Sequence, residues 1–84
     1  MKTNTNIKFS SIDEYREIEQ KLIELGYVND KEWNESELDV YQKGIVSIDD
    51  VPIDGNKTCL FTVFDFECEL DEIIYNSLEE FLKD

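Results

Sequence analysis

Apolar and polar residues alternate at Ile7-Lys8-Phe9, the period-two pattern of a short strand. The period then changes. Ile12, Tyr15, Ile18, Leu22 and Leu25 recur at helical spacing, while Asp13, Arg16, Glu17 and Glu24 fall mostly on the other side. Ser11-Ile12-Asp13-Glu14 has the form of a capping box, in which Ser11 accepts from the Glu14 amide and the Glu14 side chain reaches back. Gly26 is placed to end the helix in the left-handed conformation, with Tyr27 folding back onto the last turn. The pattern predicts a helix over about residues 11–25.

Residues 29–39 are polar apart from Trp33 and Leu38, and they read as a loop or irregular turn leading into a strand. Leu38 and Val40 alternate with Asp39 and Tyr41, and Gly44 to Ile48 reads as a second strand segment. Asp49 to Lys57 holds Pro52 and an Asp54-Gly55 turn signal, so it is expected to connect a hairpin. Cys59 to Phe66 is apolar at nearly every position, as in a central strand covered on both faces, or one covered by helix on one face and by a partner on the other. Leu70, Ile73, Ile74, Leu78, Phe81 and Leu82 fit one amphipathic helix over about 70–83. A second capping box, Ser77-Leu78-Glu79-Glu80, also allows a strand at Ile73-Ile74-Tyr75 before a short helix. No internal repeat, linker or low-complexity tract is expected.

These elements predict a single α+β domain over residues 1–84. Its small sheet would have three or four mainly antiparallel strands, with the N-terminal and C-terminal helices packed on it. The expected core is Ile7, Phe9, Tyr15, Ile18, Leu22, Leu25, Val46, Ile48, Leu60, Phe64, Leu78 and Phe81.

Charge changes the picture most. The chain has 21 acidic and 8 basic residues, no histidine, and a net charge of −13. Leu, Ile, Val and Phe still make up 26 of 84 residues, enough for a folded chain despite that charge. Residues 1–31 carry a net −1 and residues 32–84 a net −12. Such a surface repels nucleic acid and anionic membranes and attracts basic proteins.

The residue types restrict chemistry. Without histidine, imidazole triads and imidazole metal sites are excluded, and Cys59 and Cys68 have neither metal nor redox spacing. Both thiols are expected to be reduced, in a cytoplasmic protein. With 21 acids, paired carboxylates carry no information. Asp49-Asp50 and Asp54-Gly55-Asn56 resemble an ion loop superficially, but aligning Gly55 with the glycine of an EF-hand puts Phe61 where a bidentate Glu is needed. No enzyme activity, cofactor or metal is expected. The polar Met1-to-Asn6 start does not resemble a signal peptide, and no apolar run approaches a membrane span.

The acids fall in three clusters: Glu32, Glu35, Glu37 and Asp39; Asp49, Asp50 and Asp54; and Asp65, Glu67, Glu69, Asp71 and Glu72. Carboxylates gathered on one face would imitate the phosphates of a duplex, which carries about one negative charge per 1.7 Å. Trp33 and Tyr41 beside them are candidate partner anchors, and Trp33 can alternatively serve as a lid on the core. Tyr15 and Phe81 read as core.

The order of strand, capped helix, Leu25-Gly26-Tyr27, Trp33 and a terminal Glu79-Glu80-Phe81-Leu82 resembles small proteins encoded by phages and prophages. The chain lacks the Gly or Ser usual beside the tryptophan and is more acidic. The composition is similar to phage-encoded acidic inhibitors of host defence, including anti-CRISPR and anti-restriction proteins. That resemblance implies an inhibitor that binds a basic nucleic-acid-binding effector or nuclease in the cytoplasm of a bacterial host. Two other readings remain open: an immunity protein or antitoxin for a basic toxin, and a phage accessory or structural subunit binding through apolar surface around Phe61 to Phe66.

Overall fold

The computed structural model describes residues 2–65 and 73–84. Its elements are β1 (Thr5–Phe9), α1 (Ile12–Glu24), β2 (Val28–Asn29), α2 (Lys31–Val40), β3 (Gly44–Ile53), β4 (Asn56–Phe64), β5 (Ile73–Tyr75) and α3 (Leu78–Lys83). They form a five-stranded sheet in the order β2-β4-β3-β1-β5. The α+β class is as expected, but the sheet is larger and mixed. β1, β3 and β4 pair antiparallel, while β2 on β4 and β5 on β1 add a parallel strand at each edge. Strands of two and three residues are too short to show an alternation, which is why the pattern missed β2 and left β5 open.

Helix α1 has the predicted caps. Ser11 Oγ accepts from the Glu14 amide at 3.2 Å, and the Ser10 amide donates to Glu14 Oε2 at 3.0 Å. At the other end Gly26 adopts φ 98°, its amide reaches the Ile23 carbonyl, and the Tyr27 amide reaches that of Leu22 at 2.9 Å. These two bonds are a Schellman motif, available at little cost because glycine has no Cβ.

Three readings are corrected. Residues 31–40 are helix, where a loop and a strand start were expected. Only Asn34 and Leu38, one turn apart, are buried in α2, and one of the two is polar, so no apolar stripe marked the helix. Asp49 to Ile53 continues β3, and Asn56-Lys57 begins β4, so the connection shrinks to Asp54-Gly55. Both turn residues have positive φ, 50° and 81°, the two-residue turn that suits strand twist. At the C-terminus the alternative reading is the one observed: β5 is a strand and α3 a separate helix capped by Ser77, while residues 70–72 of the expected single helix lie outside the described residues.

A short repeat also emerges, where none was expected. Ile7-Lys8-Phe9-Ser10-Ser11-Ile12-Asp13-Glu14-Tyr15 matches Ile73-Ile74-Tyr75-Asn76-Ser77-Leu78-Glu79-Glu80-Phe81 in character at all but the second position. Both segments fold as strand, capping box and helix start, on the adjacent parallel strands β1 and β5. Tyr15 and Phe81 end equivalent segments, and both are buried.

One face of the sheet carries the core. Ile7, Phe9, Val46, Ile48, Phe61, Val63 and Tyr75 pack there against Tyr15, Ile18 and Leu22 of α1, Leu38 of α2 and Phe81 of α3. Against the expected core, Leu25 is exposed and Leu78 only partly buried. Phe61 and Val63 replace Leu60 and Phe64, because β4 is apolar on both sides and its sequence does not show which parity faces inward. Leu60 and Phe64 lie on the opposite face. Phe66 lies outside the described residues.

Candidate interaction surface

Helix α2 follows β2 directly and lies along the outer edge of β4. The side chain that seats it is Asn34. Its Oδ1 accepts from the Val63 amide at 2.8 Å and its Nδ2 donates to the Phe61 carbonyl at 3.2 Å, so it pairs with β4 as a further strand would. Nδ2 also donates to Asn29 Oδ1 at 2.6 Å, and Asn29 Nδ2 donates to Glu19 Oε2 at 3.1 Å. Glu19 accepts from Tyr15 Oη and from Arg16, and Arg16 grips Glu35 at 2.6 and 3.1 Å. A continuous polar chain thus locks α1, β2, α2 and β4 together. Burial, reinforced by Glu19, pushes the Tyr15 hydroxyl well above its ordinary range. The Arg16 hydrogen bond holds the Glu35 carboxyl below its ordinary value.

That frame fixes how α2 presents its acids. Glu32, Glu35 and Asp39 share one side by helical spacing, whereas Glu37 falls with Trp33 and Val40. The four carboxylates are therefore not one face, and Glu35 is engaged with Arg16. No described lysine or arginine lies within ion-pair distance of Glu32, Glu37 or Asp39. Val40 is 69% exposed and Trp33 44%. Trp33 does not lie over the core: Nε1 donates to the Val63 carbonyl at 3.0 Å and its ring lies 6.1 Å from that of Phe64, on the opposite face of the sheet. Asp30, Glu32, Trp33 and Ser36 line a shallow depression of about 360 Å³. Tyr41 caps the C-terminus of α2 and is also exposed.

The second acid cluster is divided. Adjacent strand residues point to opposite faces, so Asp49 and Asp50 separate, and Asp54 sits in the turn. Ser47 Oγ donates weakly to Asp49 at 3.4 Å. Of the third cluster only Asp65 is described; Glu67, Glu69, Asp71 and Glu72 lie outside the described residues, as does Cys68. Cys59 is a free thiol packed against the core.

Arg16, Glu19, Asn29 and Asn34 set the orientation of α2; of these the sequence pattern marks only Arg16, and only as an outward residue of α1. The one signal for Asn34 was its four-residue interval to Leu38. Among the described residues no group of three His, Cys, Asp or Glu side chains is arranged to hold a metal ion, and no helix is long and apolar enough to cross a membrane. A scan of protein-family models and searches of curated proteins and of solved structures found no match to this chain.

Proposed function

We propose that the protein is an acidic inhibitor of the phage type, acting in a bacterial cytoplasm by occupying the nucleic-acid-binding surface of a basic defence effector or nuclease. The observation that carries this reading is the outer side of α2. Glu32, Glu37 and Asp39 stand without described basic partners around an exposed tryptophan, on a chain of net charge −13. Long-range attraction brings a basic groove to such a surface quickly, and an aromatic anchor beside the charges supplies short-range fit.

Tagged protein, incubated in bacterial lysate supplemented with a panel of CRISPR effectors and nucleases, is expected to retain a basic nucleic-acid-binding member of the panel. Retention should fall in high-salt washes and in the presence of competing DNA or RNA. The triple variant Glu32→Gln, Glu37→Gln, Asp39→Asn should weaken capture while leaving the thermal midpoint in place. Unchanged capture by the triple variant, or a captured partner indifferent to both salt and nucleic acid, would defeat the reading.

A further inference from the structure

The sheet face opposite the core is buried at Ile45 and Ser47, but beyond them it carries a strip of apolar side chains that stay partly exposed. Antiparallel pairing puts Ile45, Ser47, Asp49, Val51 and Ile53 of β3 on this face with Thr58, Leu60, Thr62 and Phe64 of β4. β1 pairs with β3 only as far as Ile48, so from there β3 and β4 continue as a ribbon that touches the core only at its base, through Cys59. The polarity of β3 inverts at this boundary. Val46 and Ile48 point into the core, but on the ribbon the core side carries Asp50 and Pro52, and the apolar residues Val51 and Ile53 are on the other side.

Val51 and Ile53 thereby align with Leu60 and Phe64. Val28 of β2 stands beside Leu60, and the Trp33 ring closes the end against Phe64. The six side chains extend over about 25 Å of strand. Val28 and Ile53 are 44% and 43% exposed, and Val51, Leu60 and Phe64 are half-buried. A face that only needed to be solvated would place polar residues at these positions.

We infer that this strip seats a partner protein whose contact surface interleaves apolar residues with lysine or arginine. The inference rests on the reading above, that the partner is basic. The occupant follows from charge: a second copy would bring another net −13 against this one, whereas Asp49 within the strip and Glu32 and Glu37 near its Trp33 end favour a basic rim. Salt-sensitive attraction then comes from the acids and salt-resistant adhesion from the strip.

Two synthetic peptides of about nine residues, one alternating leucine with lysine and one alternating serine with lysine, separate these contributions. Calorimetry at low and high salt is combined with the emission of the single tryptophan and with amide shifts. The leucine peptide should bind about tenfold tighter or more, keep most of that advantage in high salt, and shift the amides of Val28, Ile53, Leu60 and Phe64. The variant Val28→Thr with Ile53→Thr changes only surface positions and should reduce the advantage severalfold. Equal binding of the two peptides would overturn the strip and leave the basic-partner reading standing; binding of neither at low salt would remove both. Sedimentation showing a dimer that this double variant dissolves would also overturn it, in favour of self-association.

Discussion

The side chain of Asn34 occupies the place of a missing strand: it takes the Val63 amide at 2.8 Å and gives to the Phe61 carbonyl at 3.2 Å. β2 covers the outer edge of β4 only at Leu60 and Phe61, so without this side chain the Val63 N–H would be buried unpaired beneath α2, while the Phe61 carbonyl would keep only the long bond from the Asp30 amide at 3.4 Å. A sheet edge is thus closed by a helix rather than by a longer strand, and α2 is held where its acids and Trp33 face outward.

Replacing Asn34 with Ala should cost about 2–3 kcal/mol, because the Val63 amide stays buried without its acceptor. Urea unfolding monitored by far-ultraviolet dichroism measures the loss. A cost below about 0.5 kcal/mol, the size of an ordinary surface substitution, would show that the amide is satisfied otherwise.

Gly44 lies beneath the end of β4, and a Cβ at this position would collide with the Phe64 carbonyl oxygen, a backbone atom that cannot turn aside. Gly44→Ala is expected to destabilise the protein by at least about 1–3 kcal/mol, the usual range for overpacking. Amide shifts along β1, β3 and β4 should accompany it. Wild-type stability in this variant would mean that the strand end yields freely.

Glu35 gives a pH dependence with a defined sign. Arg16 lowers its carboxyl pKa in the folded state, so the pair stabilises the protein above the ordinary carboxylate range and ceases to do so as the pH falls through the lowered folded value. The pair is exposed, and its contribution should be under about 1 kcal/mol. Thermal midpoints of the wild type and Glu35→Gln should differ near neutral pH and converge in acid. Taking the difference removes the general relief of repulsion among the other carboxylates. Midpoints separated by the same amount at every pH would exclude this linkage.

Sodium chloride should raise the thermal midpoint. The screening length falls from about 10 Å at 0.1 M to about 3 Å at 1 M, which weakens repulsion among 21 acidic residues. For a domain of this size each kcal/mol gained appears as about 4–8 °C. A midpoint unmoved by salt would mean that the carboxylates are already far enough apart in the folded chain.

The amino-acid sequence determined what depends on neighbours in the chain. Helix α1, both serine caps, the Gly26 stop and the Asp54-Gly55 turn are local matters of periodicity and backbone preference, and they stand in the structure as read. So does the acid excess of residues 32–84. The tertiary structure decided what depends on distant partners. The inward parity of β4 was set by pairing Phe61 with Ile48 and Val63 with Val46, since the strand is apolar on both sides. Helix α2 was illegible because Asn34 belongs to the edge of β4, nearly thirty residues away, and a polar residue facing a sheet leaves no apolar period. The parallel edges β2 and β5 draw their order from the strands beside them. The same long-range pairing divided the acidic clusters and carried Val51 and Ile53 to the strip with Leu60, Phe64 and Trp33, because a face of a sheet exists only once its strands are in register.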